Sequence, residues 1–209
     1  MSNREKTAHI VGTEHKDYLK GDANDNVIEG RGGADVIHGG AGNDTASYES
    51  SSKGVYVNLD GGNYGFAGQY LQFGYGRGGD AEGDFLISIE NVIGSKHNDT
   101  FVGNSQDNVF TGGVGNGNNG SDSFVFTGKI GHDTITDFDA VGDDRDYLVF
   151  DKNEFKNFDD FKAKTTWEDT GDDVVIHIGD DSITLKNVNY NDLDSREFKF
   201  VDTADYYLV

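Results

Sequence analysis

Residues 12–47 read GTEHKDYLK, GDANDNVIE, GRGGADVIH, GGAGNDTAS when cut into nines. Gly opens every unit, at Gly12, Gly21, Gly30 and Gly39. The sixth place holds Asp17, Asn26, Asp35 and Asp44, and the eighth holds Leu19, Ile28, Ile37 and Ala46. Four units in phase without a gap form an internal repeat, and a short repeat builds by stacking one unit on the next. Each unit reads as a six-residue turn followed by a three-residue strand. Glycine permits positive φ and close backbone approach, so the turn can aim its carbonyls inward. The apolar eighth residue faces a shared core, and its two neighbours face outward.

The phase returns further along. Gly94 opens GSKHNDTFV, with Asp99 sixth and Phe101 eighth. Gly103 opens GNSQDNVFT, with Asn108 and Phe110 in the same places. Glu90 and Val92 lie nine residues before Asp99 and Phe101, so the unit ahead of Gly94 has lost its glycines and kept its phase. The next unit begins GGVGN and is interrupted by GNNGS before Asp122 and Phe124. A last degenerate unit, GKIGHDTIT, sets Asp133 sixth and Ile135 eighth.

Two units make one coil, so alternate units stack on the same edge. Their sixth-place carboxylates then lie about 4.8 Å apart, one strand spacing. Carboxylates that close are unfavourable unless a cation sits between them. Carboxylates and inward carbonyls together make an all-oxygen site, which suits calcium with its roughly six to eight flexible ligands better than the tight octahedron of magnesium. The composition agrees. Acidic residues number 38 against 17 basic, a net charge of -21, with 30 Gly, no Pro and no Cys. Without Cys there is no disulfide framework, no thiol nucleophile and no thiolate zinc site. So negative a chain is a poor partner for nucleic acid or an anionic membrane surface. No apolar run reaches the length of about 18 residues that spans a bilayer. The opening Met-Ser-Asn-Arg-Glu-Lys has no apolar stretch behind its charges and does not read as a signal peptide.

The units resemble the GGxGxDxUx nonapeptides of RTX (repeats-in-toxin) proteins. IENVIGS (89–95), DSFVF (122–126) and DTITDFD (133–139) are similar to the C-terminal region of serralysin-type metalloproteases and related type I secretion substrates. The resemblance implies an all-β, right-handed parallel β-roll with several calcium ions in its turns. It implies that sixth-place side chains pair across alternate turns: Asp17 with Asp35, Asn26 with Asp44, Glu90 with Asn108, Asp99 with Asp122. It adds backbone carbonyls, from Thr13, His15, Gly30 and Gly32 at the first site and from Asp22, Asn24, Gly39 and Ala41 at the second. The first unit departs from the pattern by lacking glycine at its second and fourth places, Asn26 and Asn108 bring no charge, and the insertion at 117–121 separates Asp99 from Asp122. Asp84 and Asp133 join the candidate ligands.

The segments divide as a lead-in (1–11), a first roll block (12–47), an inserted hairpin (48–84), a second block (85–139) and a mixed cap with an export signal (140–209). In the insertion, Val55–Leu59 alternates as a strand, and Tyr70-Leu71-Gln72-Phe73 reads as another. In the cap, Phe155, Phe158 and Phe161 share one face of a helix over Asp151–Lys164. Asp173–Ile178 and Ser182–Val188 read as strands, and Trp167 as core. The chain ends Asp205-Tyr206-Tyr207-Leu208-Val209, an acid and four apolar residues after a polar spacer. This resembles the terminal motif by which type I secretion machinery takes unfolded substrates.

No catalytic set stands in the sequence: HExxH and GxSxG are absent, and Gly74–Gly79 matches GxGxxG without a following helix. Asp137–Gly142 starts like an EF-hand loop, but Leu148 stands where the bidentate Glu belongs. The leading expectation is a secreted bacterial calcium-binding module that is not itself an enzyme, forming the C-terminal part of a larger protein. A second is a calcium-dependent polysaccharide-binding module, like those of alginate epimerases, or an adhesin module. For it, Tyr56, Tyr64, Phe66, Tyr70, Phe73 and Tyr75 would stack on sugars. A third is a spacer that aids secretion.

Overall fold

The computed structural model describes residues 8–61, 63–66, 69–113 and 120–203. Five short strands come from the first block and the residues just before it: β1 (Ala8–Val11), β2 (Tyr18–Lys20), β3 (Asn26–Glu29), β4 (Val36–His38) and β5 (Thr45–Ser47). They are dealt alternately to two sheets. β1 pairs in parallel with β3 and β3 with β5 in the first sheet, while β2 pairs in parallel with β4 in the second. Register advances by one coil at a time, so Ile10, Ile28 and Ala46 lie side by side, as do Leu19 and Ile37. The eighth-place residues Ile28, Ile37 and Ala46 are fully buried between the sheets, as the phase predicts.

Beyond them come β6 (Tyr56–Asn58), β7 (Asn63–Phe66), β8 (Gln69–Arg77), β9 (Phe85–Ile87), β10 (Asn91–Ile93), β11 (Thr100–Val102), β12 (Val109–Thr111), β13 (Ser123–Phe126), β14 (His132–Ile135) and β15 (Tyr147–Asp151). The cap adds α1 (Phe158–Lys164), β16 (Thr166–Asp169), β17 (Val174–Ile178), β18 (Asp181–Leu185) and β19 (Phe198–Val201). The first sheet runs β1-β3-β5-β10-β12-β14-β18-β17-β16. The second runs β2-β4-β9-β8-β6-β11-β13-β15-β19, with β7 paired to β8 off that path. The protein is a parallel β-roll. Among the described residues no helix is long and apolar enough to cross a membrane.

The insertion does more than extend from one side of the roll. In the first sheet β10 lies directly beside β5. In the second, β9, β8 and β6 stand between β4 and β11, where the alternation has room for one strand. β6 continues the roll in parallel with β11, and β8 is wedged in antiparallel to both β6 and β9. Gly74 and Gly76 of β8 face inward, and a Cβ at Gly76 would stand 2.7 Å from the Ala81 carbonyl. The glycine pattern there serves close backbone approach in a strand, not a nucleotide phosphate.

The cap closes both sheets. β18 pairs in parallel with β14, β19 with β15, and β17 and β16 turn the first sheet antiparallel at its edge. The helix is shorter than the phenylalanine spacing predicts. Asp151 accepts the Asn153 N–H at 2.7 Å and holds a turn, and the helix starts only after Asn157, whose side chain accepts the Asp160 N–H at 3.0 Å. Phe155 precedes the helix yet packs edge-on to Phe161, with ring centroids 4.9 Å apart. Trp167 lies 5.4 Å from Phe198, inside the cap.

Candidate metal sites

The sixth-place side chains form two ladders, one on each edge of the roll. On the first, the Asp17 N–H donates to Asp35 Oδ1 and the Asp35 N–H to Asp84 Oδ1, each at 2.8 Å. After the insertion this edge resumes with the Val55 N–H donating to Asp99 Oδ1, then Asp99 to Asp122 and Asp122 to Asp146. On the second, the Asn26 N–H donates to Asp44 Oδ1, the Asp44 N–H to Glu90 Oε2 and the Asn108 N–H to Asp133 Oδ1, all at 2.8 Å. Asn108 Nδ2 joins the middle by donating to the Glu90 carbonyl at 2.9 Å. An outer ladder runs alongside through fifth-place side chains: Asp25 Oδ1 accepts the Asn43 N–H, and Asp107 Oδ1 the His132 N–H.

One carboxylate oxygen per rung is thus spent on the turn before it, and the other oxygen divides the turns into two kinds. In two turns the second-place N–H closes back on it, Thr13 N–H to Asp17 Oδ2 and Ser95 N–H to Asp99 Oδ2, both at 2.6 Å, and in two more the same N–H closes on the single amide oxygen of an Asn, Asp22 on Asn26 Oδ1 and Asn104 on Asn108 Oδ1. In the other kind the second place is turned away. Arg31 sits at φ 64° and Gly40 at φ 123°, left-handed conformations that aim the N–H elsewhere. Asp35 Oδ2 and Asp44 Oδ2, and also Asp133 Oδ2, are buried and accept no hydrogen bond from the described residues. The opening glycine is needed beside such an oxygen: a Cβ at Gly30 would stand 2.5 Å from Asp35 Oδ2. A buried carboxylate oxygen without a donor calls for a cation.

The turns that carry the implied carbonyl ligands stack on one another. Gly30 O lies against Gly12, where a Cβ would stand 2.6 Å from it, and Gly33 lies against the His15 carbonyl. Gly32 backs onto Glu14. Turn 39–44 lies over turn 21–26, with the Ala41 N–H donating to Asp22 O at 3.1 Å and Gly42 against Asn24. At Thr13 the N–H and the hydroxyl both donate to Asp17 Oδ2, at 2.6 and 2.8 Å. Among the described residues no three His, Cys, Asp or Glu side chains gather into one centre. Calcium takes backbone carbonyls as well as carboxylates among its roughly six to eight oxygens, so a site need not gather three acidic side chains. The donors therefore fit calcium.

Three features escaped the phase. The turn before β10 is three residues, Ser88–Glu90, not six, and the longer Glu side chain reaches the Asp44 N–H that an Asp would otherwise take. Asp84 Oδ2 accepts the hydroxyl of fully buried Tyr48 at 3.1 Å, so a phenol fills this rung. Asp146, two dozen residues past Asp122, accepts both the Asp122 and Asp139 N–H groups. It lines an acidic cleft of about 680 Å³ with Asp122, Asp137 and Asp139. Asp137 accepts the N–H groups of Gly112 and Gly113 at 2.8 and 3.0 Å. Asp99 and Asp122 pair despite the insertion between them.

Three of the six rings expected to form a sugar platform lie among the described side chains, each partly exposed. Tyr56 and Tyr75 pack on each other with centroids 6.0 Å apart, and Asn58 Nδ2 reaches both hydroxyls. Phe73 stacks on Phe85 at 4.8 Å. The side chains of Tyr64, Phe66 and Tyr70 lie outside the described residues, as does the terminal stretch 204–209.

Burial sets the protonation of the ladder. It pushes the Asp99 carboxyl up to about 6, and Asp84 and Asp146 to about 7. Asp133 rises to about 8, and Asp122, with Asp146 adding repulsion, to about 9. Asp35 and Asp44 are raised for the same reason.

The family of RTX calcium-binding nonapeptide repeats matches residues 11–46 and 93–124, in four copies. Those two segments are RTX repeats, and such repeats bind calcium. No curated protein matches the chain. Among solved structures it is similar to the extracellular lipase LipA from Serratia marcescens, with 17% identity and a TM-score of 0.33. The match covers 95% of this chain and 40% of that one.

Two outcomes follow from this geometry. Asp44→Ala removes a carboxylate whose second oxygen has no protein donor, and should raise the calcium midpoint of folding about tenfold, near 1.4 kcal/mol. Asp17→Ala, in a turn closed on itself, should shift it less, and the exposed Asp172→Ala not at all; three equal shifts would mean that bulk charge alone matters. The second outcome concerns pH in EDTA. The raised carboxyls bind protons more tightly folded than unfolded, where Asp titrates near about 3.9. Their protonation stabilises the metal-free roll fully below about pH 4, and that help is lost as pH rises through about 6 to about 9, the range spanned by Asp99 and Asp122. Strand ellipticity in EDTA should therefore grow on going from pH 9 to 5, and growth in the opposite direction would refute the ladder as the source of repulsion.

Proposed function

We propose that the chain is a calcium-folded module of a larger secreted bacterial protein, held open in the cell and folded after type I export. In this reading the module performs no catalysis and acts by becoming ordered outside the cell. The observation that carries it is the set of three donorless buried oxygens, on Asp35, Asp44 and Asp133, inside ladders of stacked carboxylates. The rungs Asp17–Asp35, Asp35–Asp84, Asp44–Glu90, Asp99–Asp122 and Asp122–Asp146 each set two carboxylates together as they form, so the binding energy of an ion between them becomes folding energy. Cytosolic calcium is too low for sites of the extracellular class, which bind at roughly 10⁻⁴–10⁻³ M. The open chain can then be threaded, and folding on the far side opposes its return.

The support for export is the resemblance of Asp205–Val209 to the terminal motif of type I substrates together with the RTX repeats upstream. Calcium titrated into EDTA-treated protein at neutral pH should bring up strand ellipticity, with a midpoint of order 10⁻⁴–10⁻³ M, and equal magnesium should not. An unchanged spectrum and melting point across that titration would remove the reading. For export, the chain lacking Asp205–Val209 should stay inside cells that carry a type I exporter. Secretion at the full rate would show that the signal lies elsewhere.

A further inference from the structure

The second sheet turns one face to the core and the other outward, where a polar face is expected. Val102 of β11, Val125 of β13 and Val149 of β15 stand in one register on that outward face. They are 0%, 1% and 0% exposed. Their sequence neighbours Phe101, Phe124 and Leu148 fill the core on the opposite side. The equivalent row on the first sheet behaves differently, since Ile93 and Thr111 stay partly exposed. The described apolar side chains packed on the valine stripe are Tyr56, Tyr147 and Val201. All three belong to strands of the same sheet, and the row continues beside Val102 with the fully buried Asn58.

We propose that the stripe is the docking site of the chain's own last segment, residues 204–209. The chain arrives at the right place. Thr203 is buried, and its hydroxyl donates to Asp151 Oδ2 at 2.6 Å, at the end of β15 and on the same outward side as Val149. Six further residues reach about 20 Å when extended. The distance from β15 across β13 and β11 to β6 is three strand spacings, about 14 Å. The chemistry is matched as well: Tyr206, Tyr207, Leu208 and Val209 are apolar. Lys199, whose Nζ lies 3.1 Å from the centre of the Tyr147 ring, stands where Asp205 would pass. Burial lowers the Lys199 pKa, as a covered face would. The other parts of the chain outside the described residues fit less well: residues 114–119, Val-Gly-Asn-Gly-Asn-Asn, offer one apolar side chain.

Docking gives calcium a second effect. Folding the roll assembles the stripe, and the stripe withdraws the terminal segment. A folded module then no longer presents the residues that an exporter would take; this consequence rests on the export reading above, whereas the docking does not. The test uses the full chain saturated with calcium. Hydrogen exchange should find the backbone amides of residues 206–209 slowed at least tenfold relative to the chain in EDTA, and carboxypeptidase should leave the end intact. Leu208→Asp, in the tail itself, and Val125→Asp, on the stripe, should each restore rapid exchange and trimming. The calcium midpoint of Leu208→Asp should stay within twofold of the parent, so if Val125→Asp fails to fold, Leu208→Asp decides. Exchange of the parent's tail at the unfolded rate, or protection that survives Leu208→Asp, overturns the docking. Secretion that survives loss of Asp205–Val209 overturns export and leaves tail protection untouched, so the two readings fail separately.

Discussion

The structure depends on one repeated contact, a sixth-place carboxylate accepting the N–H of the same place one coil earlier. That contact fixes the height of each coil and at the same time stacks charges. Two carboxylates about 4.8 Å apart repel by about 3.5 kcal/mol at an effective dielectric of about 20. A cation between two such carboxylates turns one repulsion into two attractions and changes the sign of the rung. The fold and the calcium requirement are one constraint seen from two sides.

The same contact explains how the roll absorbs a large insertion. The ladder asks only that an acceptor oxygen lie over the next N–H, and sequence separation is free. Asp17 and Asp35 meet 18 residues apart, Asp35 and Asp84 meet 49 apart, and Asp44 and Glu90 meet 46 apart. Where the turn before β10 shrank, a side chain one methylene longer restored the reach. Where β8 was wedged into the second sheet, Gly74 and Gly76 removed the side chains that would have met the neighbouring backbone.

Phase in the sequence reports where a residue sits on the coil, and on that basis the strands, the inward residues and most rungs were legible. Phase does not report what the backbone next to a carboxylate does. Asp17 and Asp35 look equivalent in the repeat, yet the Thr13 N–H closes one and the left-handed Arg31 leaves the other open. Asp146 was illegible for a related reason: its coil is lengthened by a loop, so it falls out of phase while keeping its place in space. Alternation marks β6 and β8 as strands, but not that β6 also pairs in parallel with β11 and β8 with β9. The outward valines were invisible as a feature, since Thr-Phe-Val and Ser-Phe-Val differ from other repeat strands by one residue that a short strand would ordinarily show to water.

The two ends of the first-edge ladder contrast in how they meet their charge. Toward the repeats, Asp35 keeps a buried oxygen that accepts no hydrogen bond from the described residues. Past Asp146, the next carboxylate is Glu197, fully buried, and it is met by the Arg145 guanidinium at 3.2 Å and by the Asp194 N–H at 2.8 Å. Arg145 in turn donates to Gly142 O and so ties the acidic loop to the cap. A guanidinium supplied by the chain needs no ion from solution and loses little when calcium is removed. The cap also holds a dense aromatic core, with Phe150 in ring contact with Phe126, Phe155, Phe161, Phe198 and Phe200. On this edge the cap carboxylate is thus met by a residue's charge, whereas Asp35 Oδ2 accepts no hydrogen bond from the described residues. A roll that grows by stacking needs one surface that exists before the next coil is laid down, and the cap end is the place where such a surface is held together by apolar contact and a built-in charge.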